Sequence, residues 1–292
     1  MTSLRNLFED PPPAFVFEVA PTHVAMAHAA GDAQAIVEPL APGVVRPSPV
    51  NDNIIDTEAF ASAVKNLVAH AGPGRKTRRA ALILPDHSAR VSVLDFDQFP
   101  EKPQDQLPLL HFRIKKTLPY DIDSAAISYF VQPMTKEGRR EIVAAVTPLE
   151  VVARYEAPFR AANFHVGIVT VSHLAALDLV AQTGISVVAK MSGGVLTVMA
   201  LDHGILRLVR SLEMSTITLD EIAADLYPTF AYAEDNFGAH PDSLLLCGFG
   251  DLVDAARDRF SQELSCTVER LPFQNAGLAG YLYSRKIQGV AA

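Results

Sequence analysis

Apolar positions along this chain switch between a period of two and a period near three and a half, and the switches mark its elements. Residues 15–19 (FVFEV) and 24–28 (VAMAH) read as two short strands around a turn that holds Pro21. Residues 33–50 are rich in Pro and Gly and read as a third strand with an extended connection. Asp56 or Thr57 then opens a helix with Phe60, Val64, Leu67 and Val68 on one face, ending near Gly72. Residues 80–84 form a short, continuous apolar run, the pattern of a buried strand.

A polar loop follows Pro85, and after it a helix. Pro103 and Asp105 suit the start of that helix, and Leu107, Leu110, Ile114 and Leu118 recur at three- and four-residue steps until Pro119 stops it. Strands are expected at 127–131 and at 141–147 (EIVAAVT). An amphipathic helix over 148–162 presents Val151, Val152, Tyr155 and Phe159, a strand covers 164–171, and a helix runs from Ser172 to 182. From Gly184 the same order starts again. Strands at 185–189, 195–201 and 205–210 precede a helix at 219–236, and the last two strands meet at Asp202-His203-Gly204, a hairpin signal. A strand at 243–247, a Gly248-Phe249-Gly250 turn, a helix at 251–263, a strand at 267–271 and a helix at 276–285 complete the chain. Both halves begin with three strands and then alternate helix and strand. The expected fold is therefore α/β, a duplicated βββαβα unit with a small α+β domain inserted in the first copy. The boundaries are 1–183 for the first domain, with the insert at about 86–140, and 184–292 for the second.

Composition narrows the function classes. The chain has 292 residues, 49% of them hydrophobic and 20% charged, with a formal net charge of −8. That balance supports large buried cores and argues against bulk nucleic-acid or anionic-membrane binding, which needs a basic surface. Two cysteines, Cys247 and Cys266, read as free thiols of a reducing compartment. No apolar run approaches the roughly 20 residues of a membrane helix, and the N-terminus has no apolar signal core. A cytoplasmic protein is expected, one that does not insert in a membrane and sits at one only through a partner.

Few residues suggest catalysis. Asp86-His87-Ser88 holds the residue types of a triad, but sequence neighbours on a strand point to opposite faces, so a polar loop is the reading. No pair of histidines sits at H-x-x-x-H spacing, and no metal is expected. The basic run at 74–79 (GRKTRR) and the acidic Glu221, Asp225, Glu234 and Asp235 read as a solvated loop and a solvated helix face.

An ordered series of short motifs resembles the PilM-like proteins of type IV pilus assembly, in the FtsA and PilM branch of the actin-like (ribonuclease H-like) ATPase superfamily. A leader with LRNLF precedes the first strand. EAFASAVKNL follows, then a strand ending Ile83-Leu84-Pro85, then Phe99-Pro100. Leu118-Pro119-Tyr120-Asp121-Ile122-Asp123, ISYFVQ, VAAVTPLEVV and a closing GLAGYLYS complete the series. The resemblance covers essentially the whole chain. It implies ATP with Mg²⁺ held between two large domains by Asp-led glycine turns, whose backbone N–H groups approach phosphate closely.

Here those turns depart from the family pattern. The first reads Glu18-Val19-Ala20-Pro21-Thr22, with Glu for Asp, Ala for Gly and a proline that removes one N–H. The second reads Lys190-Met191-Ser192-Gly193-Gly194, with Lys190 where the metal-orienting Asp is expected. The adenosine-side turn is partly kept at Gly248 and Gly250. Glu18, Thr22, Lys190, Ser192, Gly193, Gly194, Gly248 and Gly250 are thus the candidate cofactor-site residues. The expectation is a site that has lost hydrolysis, in which Glu18 and Lys190 pair across the cleft. The resemblance further implies a scaffold at the inner membrane that binds the cytoplasmic N-terminal peptide of a PilN-like membrane protein, in a groove between the first domain and the insert. Phe96, Phe99, Leu107, Leu110 and Leu118 are the candidate partner-binding residues. A working ATPase, a cytoplasmic component of a type II secretion platform and a self-associating filament protein are the alternatives.

Overall fold

The computed structural model describes residues 13–29, 35–72, 77–135, 138–181 and 183–290. The leader at 4–8 lies outside them, as do the first residues of the basic run at 74–79. The first lobe is built from β1 (Phe15–Ala20), β2 (His23–His28), β3 (Ile36–Pro39), α1 (Thr57–Ala69) and β4 (Arg78–Leu84). An insert follows, with β5 (Arg90–Phe96), α2 (Pro103–Lys115), β6 (Ala125–Met134) and β7 (Arg140–Pro148). The lobe resumes with α3 (Leu149–Ala161), β8 (Phe164–Val171) and the short α4 (Ser172–Ala176). The second lobe holds β9 (Ile185–Ser192), β10 (Val195–Asp202), β11 (Ile205–Glu213), α5 (Leu219–Phe237), β12 (Ser243–Cys247), α6 (Val253–Glu263), β13 (Thr267–Arg270) and α7 (Ala276–Val290).

The two lobes share one topology. Their five-stranded sheets run β3-β2-β1-β4-β8 and β11-β10-β9-β12-β13, each with an antiparallel hairpin feeding a parallel half. The duplication read from the hydrophobic pattern is therefore present strand for strand. Local signals explain the elements. Asp56 caps α1 by accepting the Ala59 N–H at 2.9 Å. His203 and Gly204, both at positive φ, make the tight β10–β11 turn.

The core of the first lobe is aromatic. Phe17 packs on Phe159 and Phe164 with ring centroids 4.7 and 5.0 Å apart, and Phe60 and Tyr155 complete the cluster. Burying each such side chain contributes about 2–3 kcal/mol. The Tyr155 hydroxyl is buried too. It donates to Asn53 Oδ1 and lies 3.1 Å from Ser88 Oγ, so it is not left unsatisfied.

Three expectations change. Residues 90–96, read as loop, form a strand. Residues 141–147 do not return to the large sheet. They are the middle strand of the insert's own sheet, β5-β7-β6, so the insert closes at Pro148 rather than near 140. The helix expected over 172–182 stops at Ala176 and continues only as a 3-10 turn at Leu177–Leu179.

The insert does not stand free. The Gln132 side-chain amide clamps the backbone of Leu206 in β11, donating to its carbonyl at 2.8 Å and accepting its N–H at 2.9 Å. Glu141 meets Arg207 at 3.3 Å beside it. Val143 joins Met199, Leu201, Leu206 and Val209 in one buried cluster. The insert thus packs against the second lobe as well as the first. Helix α7 ties the lobes on the other side, placing Leu278 and Leu282 among Val16, Ala25 and Ile83 of the first sheet.

Candidate functional site

The cleft between the lobes is built by equivalent positions of the two hairpins. Glu18 is two residues before the end of β1, and Lys190 two residues before the end of β9. In their parallel neighbours Glu18 sits opposite Ile83 and Lys190 opposite Cys247. Three residues beyond Ile83 is Asp86, and three beyond Cys247 is Gly250. Pseudo-symmetry thereby brings Glu18, Lys190, Asp86 and the Gly248–Gly250 turn to one place.

Lys190 and Asp86 form a buried ion pair. Lys190 Nζ donates to Asp86 Oδ2 at 2.6 Å, with side-chain exposures of 6% and 0%. The other carboxylate oxygen accepts the His173 backbone N–H at 2.7 Å, and His173 Nδ1 lies 3.4 Å from it. Burial alone would raise the Asp86 pKa, but the Lys190 ammonium and the His173 contacts hold it well below the usual carboxylate range. Burial alone would lower the Lys190 pKa, and Asp86 first among its neighbours carries it above the ordinary lysine value.

Glu18 has other partners. Its Oε1 accepts the Ser172 hydroxyl at 2.5 Å and its Oε2 accepts the Leu278 N–H at 2.8 Å. The expected Glu18–Lys190 pair is therefore replaced: both oxygens of Glu18 are taken by α4 and α7, and Lys190 turns to Asp86. The same contacts explain why Gly277 and Gly280 are needed. A Cβ on Gly277 would lie 2.6 Å from Ser172 Oγ, and one on Gly280 2.0 Å from the Ala175 carbonyl oxygen. Only glycine lets α7 come this close to α4.

The two turns meet directly. A Cβ on Gly193 would fall 3.1 Å from Pro21 Cγ, so the proline ring of the first turn rests on the second. Gly248, at φ +75, lies under the Met191 carbonyl. A cavity of about 450 Å³ remains outside this contact. Of the candidate cofactor residues, Glu18, Thr22, Lys190, Ser192, Gly193, Gly248 and Gly250 line it and Gly194 does not. Among the described residues no three His, Cys, Asp or Glu side chains are gathered to hold a metal ion. Cys247 also lines the cavity, but burial pushes its thiol up to about 11 despite the nearby Lys190 ammonium, so it stays protonated at neutral pH.

A second feature lies between the insert and the first lobe. Ala126, Ile127 and Ser128 of β6 line a cavity of about 270 Å³ together with Val169, Thr170 and Val171 of β8. Both are edge strands of their sheets. None of the five candidate partner residues lines it. Leu110 is fully buried in the insert core and cannot meet a partner. Phe96, Phe99 and Leu118 pack partly buried on that core, and Leu107 is exposed.

Asp86 is the site residue that sequence reading missed, because a short polar turn after a strand reads the same whether it faces water or a buried lysine. A signal was present in Lys190 itself: a lysine inside ISVVAKMS has to find an anion.

No protein-family model and no curated protein sequence matches the chain. Solved structures do. The PilM-PilN type IV pilus biogenesis complex aligns with a TM-score of 0.77 at 14% identity, covering 95% of this chain and 99% of that one. A Bacteroides thetaiotaomicron protein with an actin-like ATPase fold and unknown function aligns at 0.54 and 10% identity, over 92% and 94% of the two chains. The chain has the actin-like ATPase fold. The cytoplasmic domain of EpsL, an inner-membrane component of the Vibrio cholerae type II secretion system, shares it at a TM-score of 0.52 and 10% identity, over 94% of each chain. Within the actin-like fold the Lys190–Asp86 pair lies between the lobes. Among the described residues no helix is long and apolar enough to cross a membrane.

Proposed function

We propose that this actin-like chain is a scaffold on the cytoplasmic side of a type IV pilus inner-membrane platform, binding the N-terminal tail of a PilN-like membrane protein. The observation that carries this reading is the likeness to the PilM-PilN complex over nearly the full length of both chains. The likeness to cytoplasmic EpsL, from another inner-membrane assembly, supports the same class of role. The docking place is the groove between β6 and β8, where two edge strands leave backbone groups for an extended peptide and Ile127 and Val169 offer apolar contacts. This moves the docking residues away from Phe96, Phe99, Leu107 and Leu118.

The cleft between the lobes is a degenerate nucleotide site on this reading. Its residues do not fit Mg-ATP: Lys190 occupies the metal-orienting position and is neutralised by Asp86, and Pro21 covers Gly193 where phosphate would approach the backbone. Calorimetric titration tests both parts. A peptide matching the tail is expected to bind, Thr170→Arg to abolish that binding, and Mg-ATP to give no heat. Failure of the peptide to bind refutes the scaffold reading, and saturable Mg-ATP binding refutes the degenerate site. Binding of an EpsL-type partner tail instead would assign the chain to a secretion platform.

A further inference from the structure

A cavity of about 630 Å³ belongs to neither of these places. It opens where three parts of the chain converge. Val50 and His87 come from the first lobe, Arg90, Lys116 and Tyr120 from the insert, and Arg210 from β11 of the second lobe. Its volume falls within the range of small-molecule sites.

The lining chemistry is one-sided. His87, Arg90, Lys116 and Arg210 all border the cavity, and among the described residues no Asp or Glu does, although the whole chain carries a net charge of −8. Arg90 spends one N–H on the Thr117 carbonyl at 2.5 Å, leaving other donors of its fork. Arg210 and His87 meet carboxylates beyond the lining, Asp225 at 3.3 Å and Glu213 at 3.5 Å. Lys116 has no carboxylate within ion-pair distance among the described residues; its ammonium rests 5.0 Å from the Phe112 ring centroid. The Tyr120 hydroxyl is buried and has no hydrogen-bond partner among the described residues. A buried hydroxyl is normally satisfied, and Tyr120 is one of the residues lining this cavity.

We propose that this cavity binds a phosphate group carried by a small molecule. A carboxylate has two oxygens. A phosphate offers three or four acceptor oxygens in different directions, which suits Arg90 and Lys116 of the insert and Arg210 of the second lobe plus a tyrosine hydroxyl. The apolar walls, Val50, Val91, Leu118 and Val209 among them, accommodate the body that bears the phosphate. Because the cations come from the insert and from the second lobe, the bound anion joins these two.

Thermal unfolding and calorimetry of the full chain with inorganic phosphate and pyrophosphate, against chloride at equal ionic strength, test the site. The expected result is a rise in Tm specific to the phosphate anions. Lys116→Gln and Tyr120→Phe are expected to weaken their binding about tenfold each, the loss of one charge-assisted hydrogen bond. Tyr120→Phe also removes the unsatisfied hydroxyl, so without ligand it is expected to be as stable as the parent or more so. That split between affinity and stability would not arise from a purely structural residue. Vesicles of phosphatidylcholine with and without phosphatidylglycerol identify the source. Co-sedimentation that needs phosphatidylglycerol and is lost in Lys116→Gln assigns a lipid headgroup, and phosphate binding without it assigns a soluble ligand. No phosphate-specific stabilisation of the parent, or unchanged affinity in both variants, overturns the proposal.

Discussion

Replacing Lys190 by methionine tests how the cleft is held. At the observed 2.6 Å the Asp86–Lys190 attraction is about 6 kcal/mol at an effective dielectric constant near 20. Taking each ion out of water costs several kcal/mol, so the intact pair adds little net stability. Removing only the lysine is a different matter. Asp86 stays fully buried, with the His173 N–H as its remaining strong donor, and its desolvation is no longer offset. The expected loss is about 3–5 kcal/mol, or roughly 5–8 °C in Tm for a chain of this size. Asp86→Leu combined with Lys190→Met removes both ions and is expected to restore most of that loss. Urea and thermal unfolding of the two single variants and the double variant form a cycle that isolates the coupling. A Lys190→Met loss below about 1 kcal/mol, or a double variant as unstable as the sum of the singles, would falsify the buried-pair account.

The pH dependence carries a sign that can be checked separately. In the parent, the Asp86 carboxyl is held below its unfolded value. Its contribution is therefore present above the ordinary carboxylate pKa and is lost only as pH falls well below that range. The Lys190 value is raised, so its contribution is complete below the ordinary lysine pKa and is lost as pH rises past the folded value. Stability arising from the pair is thus flat from mildly acidic to mildly alkaline pH. In Lys190→Met the burial of Asp86 is unopposed by an ammonium and its pKa rises. The penalty should then shrink as pH falls from neutral, because a protonated carboxyl no longer needs a cation. A penalty that grows toward acid pH would contradict this.

The other expectations concern close approach and clamping. Gly280→Ala places a methyl into the Ala175 carbonyl and should cost about 1–3 kcal/mol by thermal unfolding, as overpacking does; a neutral result would mean α7 can slide on α4. Gln132→Leu strands the Leu206 N–H and carbonyl and should cost about 1–3 kcal/mol, with faster hydrogen exchange at Leu206 than at Val198 in the middle of the same sheet. Cys247, fully protonated at neutral pH and buried, should resist alkylation in the native protein while the half-buried Cys266 reacts; equal rates would place Cys247 at a surface.

The strands and helices of both lobes were legible because each buries one face or both, and the apolar period records which. The β1–β2 and β10–β11 hairpins, α1 and α5 all follow from such periods, helped by Asp56 at the start of α1 and by the His203-Gly204 turn. What was not legible is which sheet a strand joins. EIVAAVT is a buried run, and a buried run looks alike at the centre of the insert and at the centre of a lobe; only pairing with β5 and β6 decides. Strand β5 was hidden for the converse reason. Every residue of RVSVLDF is at least partly exposed, so its alternation is weak. The site divides in the same way. The oddity of Lys190 is local and visible, whereas its partner lies 104 positions away and emerges only when the fold superposes the turn after β4 on β9.

That superposition bears on why the cleft holds together on the degenerate-site reading. An actin-like cleft that binds a nucleotide gains stability by ligand linkage, about 2.7 kcal/mol at one hundred times the dissociation constant, and loses it when the ligand leaves. Here each role that a ligand would fill is taken by the chain. Lys190 supplies the positive charge for Asp86, Pro21 fills the approach to Gly193, and the Glu18 carboxylate is satisfied by Ser172 and by the first turn of α7. Gln132 and Arg207 tie the insert to the second lobe from the far side. Both sides of the cleft are bridged by protein atoms, and on the proposed reading the lobes are expected to keep their relative position with or without nucleotide. On the proposed scaffold reading, such bridging keeps the β6–β8 groove in one shape for its partner.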